Sequence, residues 1–350
     1  MSHIVSITAE PMDIELTEPF GIAGGAQEVA ANVLVQVTLG DGSVGLGEGA
    51  PFTVVSGETQ GRTLERVRDA AQALLGSDAR RFLDLANRIR EACGDAPSAR
   101  CALETAVLDA ALRSAGLSMW HFFGGRVAEL ESDVTIVTGD VPSAVSAARA
   151  AVAAGFSMLK VKVGEGVELD RARLDAIKSV APDARLVLDA NGGFDAVEAI
   201  ELVNAVGRER IALFEQPTPA QDLDGLRRVR AHVRVAADES ARGAADVVRL
   251  GLEAAADVVN VKIMKTGIAE ALDVIATARS FGLGLMVGGM VESSLAMTTS
   301  ACLAAGQGGF EVVDLDTPLF LRNDPTRGGM LRHGARIRVD GIAAGHGVTR

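Results

Sequence analysis

Three acidic residues, each closing a short apolar run, carry the chemistry encoded in this chain: Asp189 in LVLDAN, Glu215 in ALFEQP and Asp238 in VRVAADES. Brought to one rim, three carboxylates supply oxygen ligands that suit a hard divalent cation such as Mg²⁺, which takes carboxylates and water in octahedral geometry. Zinc prefers His and Cys, and the five histidines, His3, His121, His232, His333 and His346, are scattered and never paired. A zinc site or a Ser-His-Asp triad therefore has little support. His232 lies closest to the acidic residues in sequence, but it precedes a strand and is expected at the opposite, non-catalytic end.

Lysines flank the acids on both sides. Lys160 and Lys162 in MLKVKV sit two apart on a strand, so their side chains share a face. Adjacent ammonium groups and a nearby dication would lower a lysine pKa toward neutrality and make it a general base. Lys262, in VVNVKIMK with Lys265, ends a strand about four repeats later and so falls roughly across a barrel from the first pair. Two lysines on opposite faces of one bound carbon remove a proton from one side and return it from the other, which is the chemistry of a racemase or epimerase. A proton α to a carboxylate is too weakly acidic for lysine alone, and a bound dication stabilises the charge that develops on the carboxylate oxygens.

The elements that position these groups recur about every 25 residues from Lys160 to Asp316, and the rhythm continues through GLMVGGMVES with Glu292 and EVVDLDTP with Asp314 and Asp316. Apolar runs of four to eight residues separated by amphipathic helical stretches read as buried parallel strands in a βα repeat. In a closed βα barrel the strand C-termini converge on one rim, so residues far apart in sequence become neighbours there. Residues 126–321 are assigned to this barrel, with its first strand near Asp133 to Thr138. Residues 1–125 read as an α+β domain ending at Gly124-Gly125. In it His3 to Leu16 and Asn32 to Gly47 alternate like antiparallel strands, and helices are expected over 59–75, 79–92 and 98–115. Residues 322–350, which contain the strand-like ARIRVDG, are expected to return to the first domain.

At 350 residues with 48% hydrophobic content the chain buries a sizeable core. Its net charge of −12, with no basic cluster, argues against a nucleic-acid partner. Cys93, Cys101 and Cys302 lack metal-type spacing and read as reduced packing residues of a cytoplasmic protein. No apolar run reaches about 18 residues, so no membrane partner is expected.

The motifs Lys160-Val161-Lys162, Asp189-Ala190-Asn191, Glu215-Gln216-Pro217, Asp238-Glu239-Ser240 and Val261-Lys262 followed by Gly267 resemble, in order and across nearly the whole chain, the muconate lactonizing enzyme subgroup of the enolase superfamily. The resemblance implies an α/β fold in which an N-terminal α+β capping domain covers a modified TIM-type (β/α)7β barrel. It implies one Mg²⁺ per subunit on Asp189, Glu215 and Asp238, with Lys162 and Lys262 as the acid/base pair and Lys160 tuning and orienting. Enolase-superfamily sites in general use a Lys or His base with Mg²⁺ on the enediolate, so that pairing belongs to the family rather than to these residues. Asn191 and Glu239 are expected to support this site from behind.

Asp314-Leu315-Asp316 resembles the Asp-X-Asp with which dipeptide epimerases bind the free α-amino group of their substrate. A dipeptide epimerase is thus the leading expectation, a homo-oligomer acting on a small molecule. The alternatives are an N-succinylamino acid racemase, o-succinylbenzoate synthase or muconate cycloisomerase, or a non-catalytic binding protein. Members acting on Ala-Glu carry an arginine in the loop matching residues 20–26. No Lys or Arg stands between Phe20 and Ala31 here. With lid loops near 20–26 and 51–58 lined by Phe20, Ile22 and Pro51 to Val55, a neutral or hydrophobic side chain is favoured over Glu. Glu28 reads as a solvated residue and Glu292 as support for Lys262 or for the substrate carboxylate.

Overall fold

The computed structural model describes residues 2–350. Its N-terminal part is a three-stranded antiparallel sheet in the order β1 (Ile4–Ile22), β2 (Gly25–Leu39) and β3 (Val44–Gly49). The first two strands are longer than their alternation suggests. Pairing slips between Glu15 and Phe20 and then resumes from Phe20↔Gln27 to Ile22↔Gly25. Segment 20–26, expected as a loop, is therefore a hairpin tip turned at Ala23-Gly24, with Gly24 at a φ of 93° that glycine adopts without steric cost. Segment 51–58 holds a single helical turn, α1 (Thr53–Ser56).

Three longer helices come next, α2 (Gln60–Leu74), α3 (Phe82–Cys93) and α4 (Pro97–Ala115), then one turn, α5 (Met119–Phe122). Helix α4 is buried on nearly every side because its small residues meet glycines of β3. A Cβ on Gly47 would lie 2.0 Å from the Ala102 carbonyl oxygen, and one on Gly45 would lie 2.2 Å from that of Ala106. Helix and strand backbones are in contact there, an approach that any larger side chain would open.

After β4 (Glu129–Glu131) the βα repeat begins. Its strands are β5 (Val134–Ile136), β6 (Met158–Lys162), β7 (Arg185–Asp189), β8 (Ile211–Glu215), β9 (Val235–Ala237), β10 (Val258–Val261), β11 (Gly284–Val287) and β12 (Phe310–Val313). They form one parallel sheet in sequence order. The intervening helices are α6 (Val141–Ala153), α7 (Val167–Val180), α8 (Ala196–Val206), α9 (Leu223–Arg230), α10 (Ala244–Leu252), α11 (Ile263–Ser280) and α12 (Ser294–Gln307). The two edge strands are joined by the Asp133 amide donating to the Val313 carbonyl at 2.8 Å and by the Leu315 amide donating to Ser132 Oγ at 3.1 Å. Val187, Leu213, Ala236, Val258, Met286 and Val312, one from each of six strands, pack into a separate apolar cluster beneath the strand ends. That filled interior leaves only the C-terminal rim for a site.

Beyond the barrel, β14 (Leu331–His333) and β15 (Arg336–Arg338) extend the sheet of β4, while β13 (Arg327–Gly328) pairs with β16 (Val348–Thr349). Residues 345–348 lie against the first domain. The Met119 amide donates to the Gly345 carbonyl, the His346 amide to Asp109 Oδ1, and the Arg113 guanidinium to the Val348 carbonyl. Cys93, Cys101 and Cys302 are buried and unpaired, and His232 is exposed ahead of β9. Among the described residues no helix is long and apolar enough to cross a membrane.

Candidate active site

Strand register assembles the site. Lys162 pairs with Asp189 across β6 and β7, Asp189 with Glu215 across β7 and β8, and Glu215 with Ala236 on β9, two residues before Asp238. Period-two geometry puts Lys160 on the same face one step below, paired to Thr135 and Val187. Lys262 comes directly after β10, four strands along an eight-stranded sheet. Lys160, Lys162, Lys262, Asp314 and Asp316 all line one cavity, with Asn191 and Glu239 at its edge.

The carboxylates are turned onto lysines. Lys160 Nζ lies 3.0 Å from Asp189, 2.8 Å from Glu215 and 2.6 Å from Asp314; Lys162 lies 2.6 Å from Asp189; Lys262 and Lys265 lie 2.7 and 2.6 Å from the two oxygens of Asp238. In this arrangement no three His, Cys, Asp or Glu side chains among the described residues surround a common point at metal-binding distance. The donor set nevertheless fits a hard cation. Asp189, Glu215 and Asp238 are buried, and the Glu215 Oε2 atom receives no hydrogen bond despite its contact with Lys160. Burial and the neighbouring Asp189 push the Glu215 carboxyl up to about 7 against the pull of Lys160. Crowded anionic oxygens of this kind are what a dication relieves.

One expectation reverses. Neighbouring ammonium groups are expected to depress the lysine pKa values, and burial does oppose the charge, yet Asp189, Asp314 and Glu215 hold Lys160 well above its usual value. Asp238 and Glu215 do the same for Lys262. The lysine that burial does depress is Lys265, which spacing does not single out as catalytic. Without a cation, Lys160 meets three carboxylates at 2.6–3.0 Å and Lys262 meets Asp238 at 2.7 Å, and at these two lysines that attraction outweighs the lysine-lysine repulsion.

Residues behind the rim fix its geometry. Gln216 accepts from the amides of Asp238 and Ser240 and donates to Ser240 Oγ, tying two successive strand ends together. Asn260 donates to Glu215 Oε1 at 2.6 Å, and Asn191 donates to Glu239 and accepts from Lys162. Asn191 and Gln216 hold positive φ angles of 44° and 36°, a strain of the kind that concentrates at functional sites. Asn260, two residues before Lys262 on the same strand face, could have been found by the rule that links Lys160 to Lys162.

On the opposite wall Asp316 Oδ2 accepts the Thr135 amide, while Asp316 Oδ1 and both oxygens of Asp133 are buried without hydrogen-bond partners. Burial first and Asp314 second push the Asp316 carboxyl up to about 7. Asp133, which precedes the first barrel strand, gives no signal in sequence. Phe20, Ile22, Phe52, Val55, Met290 and Val291 form the apolar side of the cavity. Glu292 is fully buried but does not line it: its Oε1 accepts the Met290 amide, and its backbone is bonded to Thr317.

Comparison with known proteins identifies the family. The family described as "Mandelate racemase / muconate lactonizing enzyme, N-terminal domain" matches residues 4–124, and "Enolase C-terminal domain-like" matches residues 143–350. The chain belongs to this branch of the enolase superfamily. Among its relatives, an aromatic dipeptide epimerase from Herpetosiphon aurantiacus is 49% identical, covering 99% of this chain and 98% of the relative. An L-Ala-D/L-Glu epimerase from Thermotoga maritima is 37% identical over 97% and 99% of the two chains. A solved structure of a dipeptide epimerase from Enterococcus faecalis V583, complexed with Mg and the dipeptide L-Leu-L-Tyr, superimposes with a TM-score of 0.95 at 32% identity, covering 99% of this chain and 100% of that one. Membership of the superfamily thus fixes the fold, while the substrates of these relatives differ from one another.

Proposed function

We propose that this chain is a Mg²⁺-dependent dipeptide epimerase that inverts an α-carbon by transferring a proton from one face to the other, with a hydrophobic dipeptide preferred over Ala-Glu. The observation that carries the reading is the placement of Lys162 at the end of β6 and of Lys262 directly after β10, four strands along, both lining one cavity that also holds Asp314 and Asp316. One lysine takes the α-proton while the other, protonated, delivers one to the opposite face. Asp189, Glu215 and Asp238 would hold the metal, one ion per chain, and it would supply Lewis-acid stabilisation of charge on the substrate carboxylate. Lys160, ion-paired to Asp189, Glu215 and Asp314, orients the acids around it.

Asp316 Oδ1, buried and without a donor, offers the acceptor that a substrate ammonium group would fill, and Asp314 lies beside it. Apart from Lys160, Lys162 and Lys262, no cationic residue lines the cavity, and its remaining wall is largely apolar. A carboxylate side chain would have no partner there, whereas an aliphatic or aromatic one buries its surface at about 25 cal/mol per Å². Related epimerases described as acting on aromatic and on hydrophobic dipeptides support the same preference.

The test is a library of L,L-dipeptides incubated with the protein in D₂O and Mg²⁺ and read by mass spectrometry. Single-deuterium uptake with inversion, strongest for apolar side chains at the second residue, is the expected result. Deuterium uptake confined to N-succinyl amino acids would replace this reading with the N-acylamino acid one.

A further inference from the structure

Lys262 stands at a junction that the capping domain holds in place. It precedes α11, and that helix is broken at Gly267, whose φ of 74° and ψ of 178° separate the turn Ile263–Thr266 from the helix that resumes at Ile268. A helix restarting there presents new amides at its N-terminus that some acceptor must meet. Glu104, fully buried on α4 of the other domain, is that acceptor: its Oε2 accepts the Ile268 amide at 2.6 Å and the Ala269 amide at 2.9 Å. One turn earlier on the same helix, Arg100 donates to the Lys265 carbonyl at 3.3 Å. Residues four apart share a helix face, so Arg100 and Glu104 grip the two ends of the same short segment.

The turn that follows Lys262 is tied down by further contacts. Met264 Sδ lies 3.2 Å from the Ala50 amide of the capping domain, and Lys265 Nζ bonds to Asp238 Oδ1 and to the Asp238 and Asn260 carbonyls. Gly267 belongs to the same joint, because a Cβ there would lie 2.7 Å from Glu104 Oε1. Lys160 and Lys162 lie within β6 and are fixed by ladder pairing. Lys262 lies past the end of its strand, so its position depends on the Ile263–Thr266 turn and on the contacts that hold that turn.

We infer that Glu104, with Arg100, is a positioning residue for Lys262, so that docking of the capping domain sets the geometry of one face of proton transfer and leaves the other face to the barrel alone. The inference rests on the reading of Lys162 and Lys262 as the acid/base pair. It gives the capping domain a role in catalysis beyond covering the cavity.

The experiment measures α-proton exchange from each epimer of one dipeptide substrate separately, in D₂O with Mg²⁺. Lys162→Ala and Lys262→Ala first identify which epimer depends on which lysine; if neither variant shows a selective loss, the acid/base assignment itself fails, whatever Glu104 does. With that assignment in hand, Glu104→Ala lowers exchange on the Lys262 face by about tenfold to a hundredfold, the scale of an ångström-sized misplacement, while the Lys162 face keeps its rate and KM stays within about twofold. Glu104→Gln, whose amide oxygen can accept the same two N–H groups, recovers most of the loss. Gly267→Ala, which crowds the joint from the barrel side, repeats the selectivity, and these two variants decide the matter should Glu104→Ala not fold. Equal losses on both faces, or no loss on either, would overturn the inference.

Discussion

The barrel rim and the capping-domain wall meet at one cavity but are built by different rules. On the rim, Lys162, Asp189 and Glu215 are successive register partners at the ends of β6, β7 and β8, so moving any one means moving a strand. On the wall, Phe20 and Ile22 lie on the short stretch of β1–β2 pairing at the hairpin tip, beyond the register slip, and Phe52 and Val55 come from one helical turn and its approach, outside any ladder. On the proposed reading the rigid part holds the chemistry and the adaptable part faces the substrate's variable side chain. A rim change should therefore abolish turnover, while a wall change should redirect it.

The largest expected effect lies on the rim. Glu215→Gln should lower kcat by several orders of magnitude with little change in melting temperature, since the amide still fills the space and can accept from Asn260. Removal of divalent metal with EDTA should abolish activity and added Mg²⁺ restore it. Retained turnover in metal-free buffer would remove the rim's claim to the chemistry.

Next is the amino end. Asp316→Asn should cost more than about a hundredfold in kcat/KM for a free dipeptide, because the ammonium group then meets a neutral amide in a buried site, and much less for its N-acetyl derivative. Equal losses for both substrates would show that Asp316 does not hold the ammonium.

A smaller effect separates wall from rim. Ile22→Arg should raise kcat/KM for Ala-Glu relative to Ala-Phe by about tenfold or more while deuterium exchange at the α-carbon survives. An arginine that abolishes exchange for every dipeptide would show that the wall is as constrained as the rim.

The smallest effect concerns the seam between the regions. Burial pushes the Glu292 carboxyl up to about 8 from an ordinary 4.5, with nearby Glu48 adding to it. Between those values the folded protein binds more protons at this site than the unfolded chain, so Glu292 lowers stability progressively as pH rises from about 4.5 to 8. The decline is at most about 1.4 kcal/mol per pH unit. Glu292→Gln should flatten the fall in melting temperature over that range, and parallel curves for the two proteins would place the proton elsewhere.

The rim was legible because strand ends recur with a period and because a change of hydropathy from apolar to charged marks each one. The alternation of β1 reached only to Leu16 because the strand slips register before its tip, and a glycine-rich tip has no alternating face to read. Asp133, Glu104 and Glu48 sit at sequence positions like those of ordinary surface acids. Their burial comes from partners 164 and 245 residues away in the cases of Glu104 and Glu48, through Ile268 and Ser293. The sign of the lysine shifts was lost for a related reason: Lys160 meets Asp314 across 154 residues, and local sequence displays only the neighbouring lysine.

The contacts of residues 345–348 with Leu46, Asp109, Arg113 and Met119 set an order of events during synthesis. The N-terminal domain leaves the ribosome first, yet His346, whose ring is buried against the Leu46 carbonyl and Asp109, is added 237 residues after Asp109 on the helix it packs on. Until then that flank of the domain is open, and the long wait before such distant partners meet is the kind of delay that slows folding and exposes chains to misassembly. A ribosome stalled anywhere in the barrel would hold an N-terminal domain still missing part of its wall.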